Sequence, residues 1–257
     1  MPRSAVALAA LALLGATTGC SLLAVPDART PGGPVPLPPK QVVLAAAQAL
    51  DDAGGARIEV AQDGPAGRRT ASGALVWGAR DEAALTVTDE TGTGQLAMKD
   101  GAIDLARQGG ATGHADRAGA ESLDPKAGPA PDGFAGGWMT ALVTNPGSRA
   151  YAIGQRVPLR SLGGEEMGGV TVAHYQGSVP VDEFFGVDQE LSPARRAATL
   201  DWYRQGGVAV IGFDVWVGPG QRLLRLRETA RGSAGTTVTT TDVPSVGTGD
   251  ETPPAGG

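Results

Sequence analysis

The sequence predicts an α+β fold whose body is an antiparallel sheet partly covered by helices. Three observations predict it. Short segments with alternating apolar and polar residues follow one another at turn-length spacing, as strands joined by hairpins do. Longer segments instead carry apolar residues at helical spacing. The single cysteine, Cys20, sits beside an apolar leader and none lies in the body, so a packed core and not a disulfide framework must hold the fold.

In chain order, Arg3 precedes a run of about a dozen apolar residues, and the small residues Ala16, Thr17, Thr18 and Gly19 lead into Cys20. Such a run is well short of the ~20 apolar residues of a spanning helix, so residues 1–19 read as a cleaved export signal. Gly19 followed by Cys20 reads as a lipoprotein cleavage box in which the thiol becomes lipidated, as diacylglyceryl cysteine. A plain secretory signal is the alternative, since Thr17 stands where Leu is usual. Two acyl chains give stable anchoring where one is marginal. The membrane is therefore an expected partner, through a lipid anchor at Cys20 on the outer face of the cell membrane.

Residues 20–39 hold six prolines and no apolar period, which is the composition of an extended tether. A helix is expected over 41–52, with Val43, Ala46, Ala47 and Leu50 on one face and Gly54-Gly55 as its stop. Strands are expected at 56–61, 70–77, 83–88, 95–99 and 103–106, an antiparallel meander whose last turn is Asp100-Gly101. Residues 108–132 have no apolar period and read either as a disordered or inserted segment or as a flap. Phe134, Trp138, Met139, Leu142 and Val143 recur at helical spacing, ended by Asn145-Pro146-Gly147. The second half repeats strands and helix: a strand at 170–179, a helix at 193–205, then strands at 208–217, 222–230 and 236–243. Residues 244–257 read as a disordered tail. One domain, 40–243, is expected between tether and tail.

The charge balance and the motifs exclude several functions. Formal net charge is −6, and loss of Arg3 with the signal makes it more negative, so no field favours nucleic acid. The two histidines, His114 and His174, have no ligand spacing, so no metal site and no cofactor is expected; His174 reads as a polar residue on the exposed or edge face of a strand. No nucleophile motif or phosphate-binding loop is present, and pairs such as Glu165-Glu166 fall where turns are expected, so no catalytic residue is assigned. Arg222, Arg225, Arg227 and Arg231 read as a solvated strand face, with phosphate or sugar-acid head groups as the other reading.

The run GGEEMGGVTVAHYQGSV at 163–179, a following helix, Phe-Asp-Val-Trp-Val at 213–217, a Gly-Pro-Gly turn and the basic strand from Arg222 together resemble the LppX/LprG-type lipoproteins of actinobacteria, within the wider LolA/LolB-like group. The resemblance implies a strongly curved antiparallel sheet, an incomplete β-barrel, with helices on its concave side over an apolar cavity. It also implies binding or carriage of acylated lipid or glycolipid. By strand alternation and helix spacing, the residues expected to line such a cavity are Leu75, Trp77, Leu85, Val87, Leu96, Met98, Trp138, Met139 and Leu142; a plain filled core is the alternative. A non-enzymatic sensor or interaction lipoprotein, regulating an envelope protein partner, is the rival functional reading.

Overall fold

The computed structural model describes residues 37–79, 81–90, 92–99, 102–107, 121–123, 137–186 and 193–247. Helix α1 (Pro39–Asp52) begins with proline in its first turn and buries Val43, Ala46, Ala47 and Leu50, the face its spacing predicts. The meander follows as β1 (Gly55–Gly64), β2 (Gly67–Val76), β3 (Glu82–Asp89), β4 (Gly92–Lys99) and β5 (Ala102–Arg107). A short β6 (Glu121–Leu123) pairs with β5, and the rest of 108–132 lies outside the described residues. The signal, Cys20, the tether up to residue 36 and the end of the tail from residue 248 also lie outside them.

The chain then departs from expectation at several places, a short helix at Val181–Phe185 among them. Helix α2 (Gly137–Val143) ends before Asn145-Pro146-Gly147, but that triplet also starts a further helix, α3 (Pro146–Arg156). The Asn145 side chain accepts from the Gly147 N–H at 2.7 Å, and Pro146 occupies the first helical position, so a stop signal doubles as an N-cap. Glu165 and Glu166 lie within strand β7 (Arg160–Met167), and the turn into β8 (Val170–Pro180) is made by Gly168 and Gly169, both at positive φ. After α4 (Val181–Phe185), α5 (Pro193–Gln205), β9 (Val210–Gly218) and β10 (Arg222–Gly232), strand β11 (Gly235–Val246) continues past the expected tail boundary, and Val246 pairs with Ala56.

All eleven described strands join one antiparallel sheet in the order β6-β5-β4-β3-β2-β1-β11-β10-β9-β8-β7. The sheet is open, with β6 and β7 at its edges. Leu96 of β4 and Tyr175 of β8 nonetheless belong to the same buried cluster as the helix residues Leu50 and Ile153. Strands seven places apart cannot share one core on a flat sheet, so the sheet curls into an incomplete barrel around its helices. Helices α1 and α3 pack together closely: a Cβ at Gly154 would come within 2.8 Å of Leu44. Helix packing on the sheet concentrates on β9 and β10 for α1, and on β11 and β1 for α2.

Candidate functional site

The concave face of β1–β4 is built from three cross-strand rows. Ala56, Leu75, Ala83 and Met98 form one; Ile58, Gly73, Leu85 and Leu96 the next; Val60, Ala71, Val87 and Gly94 the third. Every side chain in these rows is buried, while Glu59, Ser72, Thr86 and Gln95 form a polar row on the other face. This is the two-residue period of a half-buried sheet, and it gives a face of small and medium aliphatic groups without an aromatic ring. Gly73 interrupts the middle row because its backbone, at φ +157°, lies so close to β3 that a Cβ would meet the Ala84 carbonyl oxygen at 2.0 Å.

Leu75, Leu85, Val87, Leu96 and Met98 therefore share this face, and Trp138 and Leu142 of α2 join the same cluster, at 5% and 0% exposure. Trp77 sits at its rim. Half-buried, it donates its indole N–H to the Asp51 carbonyl at 2.9 Å, and its backbone N–H bonds Gly54 O, so it fastens the end of β2 to the end of α1. Met139 lies on α2, and its side chain is outside the described residues.

The concave side of the other half is different in chemistry. Phe184 and Phe185 of α4, Tyr203 of α5 and Phe213 of β9 are buried and in ring contact, with centroids 4.6–5.2 Å apart. Arg149 of α3 lies over Phe184 and Phe185 at 5.0 and 4.8 Å and pairs with Glu228 of β10 at 2.9 Å. Tyr203 donates its hydroxyl to the same carboxylate. Burial, then the Glu228 charge, hold the Tyr203 hydroxyl well above the ordinary phenol range. A cavity of about 30 Å³ lies beside this pair, lined by Thr140, Ile153, Phe213, Leu226 and Thr239 among others. That is room for water-sized occupants.

Sequence reasoning missed Arg149 and Tyr203, because α3 was not expected and no local pattern marks an interior tyrosine. Glu228 did leave a signal. In the alternation Leu226, Glu228, Ala230 a carboxylate stands at an inward position, which requires a buried partner.

On the convex face, His174 is buried and not exposed, and its strand is interior to the sheet. Its Nε2 lies 2.8 Å from Asp214 Oδ1, its Nδ1 lies 3.5 Å from Glu165, and its ring stacks on Trp216 with centroids 4.3 Å apart. Asp214 also accepts from Gln176 at 2.9 Å and from Arg227 at 3.1 and 3.2 Å, while Arg225 forks onto Asp242. Two of the four basic-strand arginines are thus engaged in ion pairs. Among the described residues no group of three or more His, Cys, Asp or Glu side chains is arranged to hold a metal ion.

No family model matches the chain. No curated protein matches it either. The chain is similar in structure to the lipoprotein LppX and to LprF, both mycobacterial. LppX from Mycobacterium tuberculosis aligns at TM-score 0.46 and 12% identity, over 79% of this chain and 92% of that one. LprF from Mycobacterium bovis aligns at TM-score 0.48 and 12% identity, over 84% of this chain and 97% of that one. A LolA superfamily protein from Nitrosomonas europaea aligns at TM-score 0.29 and 9% identity, over 82% of this chain and 93% of that one.

Proposed function

We propose that this chain is a membrane-tethered, non-enzymatic protein that binds or carries an acylated lipid or glycolipid on the concave face of its half-barrel. The observation that carries the reading is the aliphatic face of β1–β4, which extends over three rows with no aromatic ring on its strands, while the packed Phe and Tyr rings and the buried ion pair lie in the other half. An acyl chain needs only a dry surface, since removal of each methylene from water is worth ~0.8 kcal/mol without specific chemistry. Leu75, Leu85, Val87, Leu96 and Met98 would lie along it, Trp77 at its rim, and Trp138, Met139 and Leu142 of the short helix α2 would be displaced or would close over it. The leader and Cys20 support an exported chain held to the outer face of the membrane by lipid.

Native mass spectrometry of the protein purified from a lipid-containing host tests this. Co-purified acyl lipid is expected, released by organic solvent, and absent from a Leu85→Trp variant that retains the native circular dichroism. A clean apo mass across several lipid backgrounds would overturn the proposal.

A further inference from the structure

The convex face of β7–β10 holds an open trough of about 770 Å³ that the lipid-binding reading does not use. Its floor is the cross-strand row Ser178, Gly212 and Thr229, where small residues succeed one another on three strands. One wall is the neighbouring row Arg160, Gln176, Asp214 and Arg227. Arg231 and the exposed Val210 line the other side.

The first wall is a built structure. Asp214, 4% exposed, accepts from Gln176 and Arg227, and the Gln176 side-chain oxygen accepts from Arg160 at 2.7 Å. Guanidiniums at both ends of the wall are therefore held in place before any ligand arrives. Asp214 is the one acid among the described lining residues, so three arginines there leave two positive charges uncompensated, on a chain whose formal charge is −6. Along the trough, Arg160 on β7 and Arg231 on β10 lie three strand spacings apart, about 14 Å at ~4.8 Å per strand, the reach of about four extended residues.

We infer that this trough binds an extended acidic segment of a partner polypeptide, carrying two carboxylates about four residues apart. The charge count and the spacing of the arginines match that segment, and the Ser178 and Thr229 hydroxyls on the floor face its backbone with both donors and acceptors. Walls on two sides fit a chain and not the plane of a bilayer. The lining offers no ring for stacking a sugar, because the Phe213 ring lies on the opposite side of the sheet against Phe184.

The test is fluorescence anisotropy with the full-length protein and a labelled Gly/Ser peptide bearing two glutamates four residues apart. Saturable binding is expected that weakens with salt, falls at least tenfold when both glutamates become glutamine, and falls likewise in Arg231→Gln and Arg160→Gln proteins. Absence of binding would overturn the inference, as would unchanged affinity in both arginine variants. Capture of polyphosphate or of anionic phosphatidylglycerol vesicles, with no binding of the peptide, would overturn the assignment to a polypeptide. Because neither arginine reaches the concave face, these outcomes are independent of whether acyl lipid co-purifies.

Discussion

The two halves of the sheet solve the same burial problem with different side chains. On β1–β4 the concave face is Ala, Val, Ile, Leu, Met and two glycines, in rows that repeat with the strand period. On β8–β10 it is closed by helices bearing Phe184, Phe185 and Tyr203, with the Arg149–Glu228 pair inside. Interlocked rings and a buried charge paired with its counter-ion specify one arrangement, because moving any member leaves a void or an unpaired ion. Aliphatic rows without such pairs tolerate repacking at lower cost. The difference assigns rigidity to the second half and adaptability to the first.

The largest expected effect separates the halves directly. Phe184→Ala opens a void between the Phe185 and Phe213 rings beneath Arg149 and should cost about 3–5 kcal/mol, whereas Leu85→Ala should fall near the low end of the ~2–5 kcal/mol range for leucine, its neighbours being free to close in. Urea unfolding of the two variants measures this; equal losses would erase the distinction.

A smaller effect sharpens the description of the rigid half. Tyr203→Phe removes one hydrogen bond from a carboxylate that keeps its arginine, a loss of roughly 1–2 kcal/mol at neutral pH. The sign of its pH dependence follows from the raised Tyr203 pKa. The folded state disfavours the phenolate, so the contribution is complete below the ordinary phenol value near ~10 and is lost as pH rises beyond it. Denaturant midpoints between neutral and strongly alkaline pH should therefore fall less steeply in the variant; identical slopes would contradict the buried, carboxylate-facing hydroxyl.

The smallest expected effect lies on the adaptable half. Arg69 forks onto Glu90 at 2.6 and 2.9 Å and, with a backbone hydrogen bond, holds that carboxyl below its usual range, but the pair is exposed. Arg69→Gln should cost less than ~1 kcal/mol, and less still in high salt. A larger loss in thermal unfolding would mean that this end of β2 and β3 is more tightly organised than its packing indicates.

The meander was legible in the sequence because period-two alternation and Gly-containing turns are local signals, and β1–β5 fall within a few residues of where they were expected. Helix α3 was not, since its buried face is Pro146, Gly147, Ala150, Ile153 and Gly154, in which small residues that admit the close approach of α1 outnumber large apolar ones. Strand β7 escaped because it is a mostly exposed edge with Gly163, Gly164 and two glutamates, without a buried alternation to betray it. His174 was misplaced for a related reason: the sequence marks a polar residue on a strand, but its partners Glu165 and Asp214 arrive from β7 and β9. The burial of Leu75, Leu85, Val87, Leu96 and Met98 was readable from alternation, whereas the Arg149–Glu228–Tyr203 cluster joins three elements and only its Glu228 stands out in the local pattern.

The sheet order has a consequence for how the chain is made. Strand β1 bonds to β11, and Gln62 donates to Thr239 across 177 residues, so the central seam of the sheet joins the first strand to the last. A chain emerging N-terminus first can complete β1–β5 by hairpins alone, yet β1 remains an unpaired edge until nearly the whole sequence has emerged. Closure of that seam is a long-range, late event. Throughout the wait the aliphatic rows of β1–β4 have only part of their eventual cover, so assembly favours holding this stretch away from other chains until its final strand arrives.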